Sequence, residues 1–267
     1  MASFHFPGIV AREGISNPAL VNQLQDALVS CGYGPFIRPG VFDAYMTSVV
    51  MLFQSQHQDD DGYPLVVDGQ IGLLTWAALF GGVPVTPASA PSTYMLQALG
   101  IAGSQVGQME EPRGSNLGPM VNEYLRSAGV PLTGADPNSR AWCMAFVYWA
   151  FQTASQALGR SNPTPKTASV LSHWNKAATV PGARLIRASD ALDSPSLIKP
   201  GLVFILDFGS GLGHTGFVER VMPGGRLATV EGNTNNDGSR TGVGVFRLER
   251  RKLSDLNLKG FVDYTDA

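Results

Sequence analysis

Along the first third of the chain, apolar residues recur at helical spacing. In "NPALVNQLQDALVSCGYG", Leu20, Leu24, Ala27, Leu28 and Cys31 share one helical face, and Gly32 ends the run. Cys31 on that face reads as a small core residue. A second helix is predicted in "GVFDAYMTSVVMLFQSQH", with Val49, Leu52 and Phe53 at helical spacing, and a third in "VDGQIGLLTWAALF". The last two share a rough repeat: a turn with Gly, a bulky apolar residue, then a Thr opening an apolar helix (Phe42/Thr47 and Ile71/Thr75). Each Thr is read as an N-cap, its hydroxyl taking a free N–H of the first turn.

The pattern then breaks at "GGVPVTPASAPST", which is rich in Pro, Ala, Ser and Thr and carries no charge. Such a stretch reads as an extended linker. The expected organisation is a helical domain over 1–82, a linker over 83–93 and a second domain over 94–267. Within the second domain, "YMLQALGIAGSQVGQ", "NLGPMVNEYLRSAGV", "SRAWCMAFVYWAF" and "TASVLSHWNKAA" read as helices. From Pro200 the character changes. "GLVFILDFG", "HTGFVERVM", "RLATVEGN" and "GVGVFRLERR" are β-branched and aromatic, separated by Gly, Pro and Asn turns, and read as consecutive antiparallel strands. Helices followed by a meander is an α+β layout.

Composition narrows the function. The chain has 267 residues, 44% hydrophobic and 15% charged, with a net charge of -2, so globular domains without a basic nucleic-acid-binding surface are expected. No run approaches the roughly 18–20 apolar residues of a membrane span. "MASFHFPGIVAREG" lacks the basic start and apolar core of a secretory signal. The expectation is synthesis in the cytoplasm, without membrane insertion. Two cysteines, Cys31 and Cys143, make no disulfide framework, and four histidines offer no zinc spacing. The acidic run at Asp59, Asp60 and Asp61 lacks the alternating oxygen ligands of a calcium loop and reads as solvated.

Cys143 opens an apolar helix preceded by "TGADPNSR", where Asp136, Asn138 and Ser139 offer caps. In a first helical turn, free N–H groups and the helix dipole favour a thiolate. A base is supplied by His214, at the start of a strand. The hairpin turns at "PGG". Two-residue loops place His214 opposite Asn233 or Asn235, and either register puts His214, Glu231 and Asn233 on one face. An odd-length loop or a bulge would break that parity. A carboxylate or amide beside the imidazole would fix its tautomer and orientation.

These motifs carry two resemblances. "LQDALVSCGYG", "GVFDAYMTSVVMLFQ" and "VDGQIGLLTWAAL" resemble the small helical peptidoglycan-binding domain, which commonly has Gly where Asp43 or Ala44 stands here. "AWCMAFVYWAF", "GHTGFVERV" and "VEGNTN" resemble the CHAP family of cysteine, histidine-dependent amidohydrolases/peptidases, from the "SQVGQMEE" helix onward. The resemblance implies a papain-like domain, helices packed on the antiparallel meander. Cys143 would be nucleophile, His214 base, Glu231 the orienting group and Asn233 an auxiliary polar residue able to stand in partly for Glu231. The backbone of Trp142 or Cys143 would contribute to an oxyanion hole. Leu202 stands where the family commonly has Asp. Some members bind calcium around the cysteine, but only Asp136 lies close upstream and Ala145 takes the following position, so no metal and no cofactor is expected. The implied activity is a peptidoglycan hydrolase, an N-acetylmuramoyl-L-alanine amidase or an endopeptidase, acting at the cell wall after release as a phage endolysin or injection as an antibacterial effector. An effector would imply secretion machinery and an immunity protein as partners. The alternatives are an inactive wall-binding protein and a cysteine protease acting on proteins.

Overall fold

The computed structural model describes residues 5–82, 85–133, 140–235 and 242–267. The chain divides into two compact units. One is built on residues up to Thr86 with Leu192–Ser196 and Met222–Gly225; the other holds Pro87–Ala191, Leu197–Val221 and Arg226–Ala267.

The first unit carries helices α1 (Pro18–Ser30), α2 (Ala44–Gln56) and α3 (Leu73–Phe80). Leu20, Leu24, Leu28, Met46, Val50, Phe53 and Trp76 fill its core. The repeat is real but its capping differs from the sequence reading. Asp43, not Thr47, caps α2, its carboxylate accepting from the Met46 N–H at 3.1 Å, while Thr47 donates its hydroxyl to the Asp43 carbonyl. Gly72 stands at the α3 cap, and Thr75 lies inside the helix, accepting from Gln54 at 3.2 Å. Asp43 thus turns the departure from Gly into a stronger cap.

Two glutamines supply the repeat's physical basis. The Gln25 Oε1 accepts from the Gly40 N–H at 3.0 Å, and the Gln54 Oε1 accepts from the Gly69 N–H at 2.9 Å. Both glycines have positive φ (71° and 74°), so each amide ties a helix to the tight turn that follows it. Cys31 departs from expectation. It caps the end of α1, is exposed, and with Tyr33, Tyr45, Val49, Leu52 and Gln56 lines a groove of about 580 Å³. At the aspartate run, the Asp59 carboxylate accepts from the Asp61 and Tyr63 N–H groups, closing a turn on itself.

The second unit is α+β, as the order of elements predicted. Its helices are α4 (Thr93–Gly103), α5 (Pro119–Ser127), α6 (Cys143–Ala157), α7 (Val170–Ala177) and all but the last two residues of α8 (Ala188–Asp193). Its strands are β1 (Arg184–Arg187), β2 (Val203–Gly209), β3 (Leu212–Val221), β4 (Arg226–Thr234), β5 (Gly244–Lys252) and β6 (Leu258–Asp263). They form one antiparallel sheet in the order β1-β6-β2-β3-β4-β5. The meander β2–β5 matches the sequence reading, and β6 returns to pair with β2.

Both faces of this sheet are buried. On one, Val203, Ile205, Phe217 and Val230 pack against Phe146 and Phe151 of α6. On the other, Phe204, Leu206, Val218 and Phe261 are also inaccessible. Helix α6 is apolar on nearly every side, as a helix at the centre of a core must be. Residues 104–110 do not continue α4, contrary to the helix expected through "SQVGQMEE". Gly107 takes φ 95°, and the segment runs along β5 instead, the N–H groups of Gly107 and Glu110 donating to the Val245 and Val243 carbonyls.

Candidate active site

Cys143 is the first residue of α6, and Trp142 is its cap. The sulfur therefore sits beside N–H groups that a helix leaves without acceptors, at the positive end of its dipole. The Trp142 side chain makes no capping hydrogen bond to α6. Asp136, Asn138 and Ser139, expected as caps, lie outside the described residues.

Trp142 is held from several sides. Its indole Nε1–H donates to the Glu110 Oε1 at 2.8 Å, and its ring lies 5.6 Å from that of Tyr124. Asn233 holds its backbone. With the amide oriented so that oxygen meets donor, the Asn233 Oδ1 accepts from the Trp142 N–H at 2.9 Å and its Nδ2 donates to the Gly242 carbonyl at 3.3 Å. Asn233 has φ 55°, and the β4–β5 register shifts between Glu231 and Thr234. The irregular backbone turns the Asn233 amide to the start of α6. Asn233 thus ties the start of α6 to the end of β4. The Trp142 N–H, expected as an oxyanion donor, is the group it occupies. Gly232 serves packing rather than a turn: a Cβ there would come within 2.7 Å of the Phe146 ring.

His214 and Glu231 meet directly. The His214 Nε2 lies 2.7 Å from the Glu231 Oε2, and both side chains are buried. The parity expected from sequence holds, but by a different route. The β3–β4 pairing begins at Val221 opposite Leu227, leaving an odd number of residues in the turn, and a bulge between Val218 and Arg220 adds one residue to β3. Each irregularity alone would move Glu231 to the wrong face; together they cancel. Beyond the bulge Phe217 pairs with Val230, which brings Gly216 opposite Glu231. Gly216 leaves the space that the carboxylate crosses: a Cβ there would stand 3.0 Å from the Glu231 Cγ and 2.6 Å from the Val230 carbonyl oxygen.

The Glu231 carboxylate is saturated. Its Oε1 accepts from the Thr229 hydroxyl at 2.7 Å and the Arg251 Nε at 2.9 Å; its Oε2 accepts from the Arg251 Nη2 at 2.7 Å besides His214. Burial opposes its charge, but the hydrogen bonds and charges of His214 and Arg251 win, and its pKa falls well below the usual carboxylate range. For His214, burial is again the largest influence and opposes the cation. The Cys143 and Glu231 side chains outweigh it and raise the imidazole to about 9. The remaining ring nitrogen, Nδ1, is buried with no hydrogen bond among the described residues. Since Nε2 is taken by Glu231, Nδ1 is the nitrogen available to the neighbouring sulfur.

The structure thus brings Cys143, His214 and Glu231 together and assigns Asn233 to the nucleophile's helix. Sequence reasoning missed Arg251, Thr229, Glu110 and Gly216. Arg251 ends "VFRLERR", which reads as a solvated charged strand, and nothing in its spacing announces a buried partner on the neighbouring strand.

Two family models match segments of the chain. Residues 17–79 match the model of a peptidoglycan binding domain, and residues 135–233 match the CHAP domain. No curated protein and no solved structure gives a match. The second match spans Cys143, His214 and Glu231, and the first runs from the start of α1 to one residue short of the end of α3. The chain thus carries a segment that matches the CHAP domain and, N-terminal to it, one that matches a peptidoglycan binding domain.

Proposed function

We propose that this protein hydrolyses an amide bond of bacterial peptidoglycan, with Cys143 as nucleophile, His214 as proton carrier and Glu231 as the group that orients the imidazole. The observation that carries the reading is the division of labour on the His214 ring. Its Nε2 is fixed by a buried carboxylate, and its Nδ1 is left beside a sulfur at a helix N-terminus.

The chemistry follows from that placement. The Cys143 sulfur attacks the amide carbonyl carbon, and its proton resides on the His214 Nδ1. N–H groups of the first α6 turn, that of Cys143 among them, receive the developing oxyanion. The tetrahedral intermediate collapses to a thioester as His214 protonates the departing amine. Water then attacks the thioester with His214 as base, releasing the acid and restoring the thiol. Arg251 and Thr229 hold Glu231 ionised, so the imidazolium keeps its counter-charge throughout.

The N-terminal domain supports the choice of substrate. Its groove beside Tyr33, Tyr45 and Leu52 offers aromatic and aliphatic surface to a glycan or peptide strand. Tethering a wall-binding module to the hydrolase raises the local concentration of scissile bonds. The scissile bond is the sugar–peptide amide or one within the stem peptides, and the biological setting is lytic, as endolysin or antibacterial effector.

Digestion of purified peptidoglycan by wild type and Cys143→Ala, with mass analysis of the fragments, tests the proposal. Wild type releases fragments; Cys143→Ala and His214→Ala do not. New amino termini on L-alanine mean an amidase, and split stem peptides an endopeptidase. Peptidoglycan left intact by wild type would refute the reading.

A further inference from the structure

Cys143 opens α6, so the place of its sulfur depends on how the residue before it, Trp142, is held. Trp142 is inaccessible to solvent, and an indole has one donor and no acceptor. A buried indole N–H must meet an acceptor, and the position of that acceptor decides where the ring and its backbone come to rest. Here the acceptor is the Glu110 Oε1, at 2.8 Å. Glu110 is itself buried, with 4% of its surface exposed.

The backbone around Glu110 is fixed in turn. The Val245 N–H of β5 donates to the Gln108 carbonyl at 2.9 Å, and the Glu111 N–H donates to the Leu117 carbonyl at 2.8 Å. Two glycines admit this close approach. A Cβ on Gly244 would stand 2.6 Å from the Met109 sulfur, and one on Gly118 would stand 3.0 Å from the Glu111 nitrogen and 3.6 Å from the Glu110 Cα. Gly118 also begins α5, whose Tyr124 ring lies 5.6 Å from the Trp142 indole. The second carboxyl oxygen of Glu110, Oε2, is buried and makes no hydrogen bond, and Glu110 makes no ion pair, among the described residues. Glu231 differs in this respect, since both of its oxygens accept from Arg251.

We propose that Glu110 is a positioning residue for the nucleophile, acting through Trp142 as a hydrogen-bond acceptor and not as a charge. The inference rests on the hydrolase reading and adds a residue to it. Asn233 holds the Trp142 backbone N–H and Glu110 holds its side chain, so two anchors from different segments fix the residue that leads into α6. Attack by sulfur on a carbonyl depends on alignment, and a small displacement of the helix start reduces turnover without weakening substrate binding. Because Oε2 has no partner among the described residues, an amide in place of the carboxyl loses no bond there. A carboxyl one methylene shorter keeps the charge and loses the reach to the indole.

The test is steady-state kinetics of the full-length protein on a soluble muropeptide. Glu110→Gln keeps kcat within about 3-fold of wild type, whereas Glu110→Asp and Glu110→Ala lower it about 10-fold with KM little changed. Trp142→Phe removes the donor, and adding Glu110→Ala to it lowers kcat no further, because both substitutions break one bond. Urea midpoints show which variants are folded, and if Glu110→Ala is not, the Gln and Asp variants decide the matter. An active Glu110→Asp beside an impaired Glu110→Gln would make the charge the working feature and overturn the proposal. Losses that multiply in the double variant, a change confined to KM, or wild-type kcat in a folded Glu110→Ala would overturn it too. Peptidoglycan left intact by wild type in the digestion assay removes the hydrolase reading instead, so the two failures are separate observations.

Discussion

Replacing Arg251 by Met tests how the site holds its charge. The substitution keeps an unbranched apolar stem and removes the guanidinium that donates to both oxygens of Glu231, at 2.9 and 2.7 Å. Glu231 is inaccessible to solvent and keeps only Thr229 and His214. Stranding one member of a buried pair costs about 3–5 kcal/mol, and the two surviving partners put the expected loss near the lower limit, about 3 kcal/mol. Urea unfolding of the full chain, followed through the transition of the second unit, measures it. The sign of the electrostatics is checked by a cycle. Arg251→Met with Glu231→Gln removes the stranded charge, so the double variant is more stable than Arg251→Met alone. Activity moves too. With Arg251 gone, burial acts on Glu231 with less opposition, its pKa rises, and the acid limb of the pH–rate profile moves to higher pH. An Arg251→Met protein within about 0.5 kcal/mol of wild type, or a double variant no more stable than the single, would refute this account of the site.

Two further outcomes follow from the same residues. The His214 pKa is raised from 6.5 to about 9, so folding gains from its proton fully below pH 6.5 and loses that gain as pH rises through 9. The stability gap between wild type and His214→Gln, read from urea midpoints across pH, is therefore widest in acid and closes through the alkaline range; a gap that widens above pH 8 contradicts it. Asn233→Gly keeps the positive φ and deletes the bonds to Trp142 and Gly242. It lowers kcat about 10-fold with little change in KM, because the nucleophile's helix loses its anchor; steady-state kinetics on a soluble muropeptide would show an unchanged kcat if Asn233 did not position the helix.

What the sequence made legible is what depends on local periodicity. The three N-terminal helices, α6 with Cys143 at its start, and the meander from β2 to β5 all follow from apolar spacing that each segment carries within itself. The elements it hid depend on distant pairing. β1 has four residues, "RLIR", too few for a pattern, and the apolar pattern of β6 is interrupted by Gly260, where a Cβ would run into the Ile186 carbonyl oxygen of β1. Arg251 is invisible for the same reason. It stands opposite Leu227, and the β4–β5 register shifts between Leu227 and Thr229, on the way from Arg251 to Glu231. The His214–Glu231 pair is the instructive middle case. A simple two-residue hairpin predicts the right face, yet the chain arrives there through an odd turn and a compensating bulge. Face, not loop length, is the constrained quantity. A carboxylate on the wrong side of β4 would be buried without His214 or Arg251, at a cost of several kcal/mol, whereas a turn can gain a residue if the strand beside it does the same. The bulge at Val218–Arg220 is therefore part of the site, although it touches none of the reacting atoms.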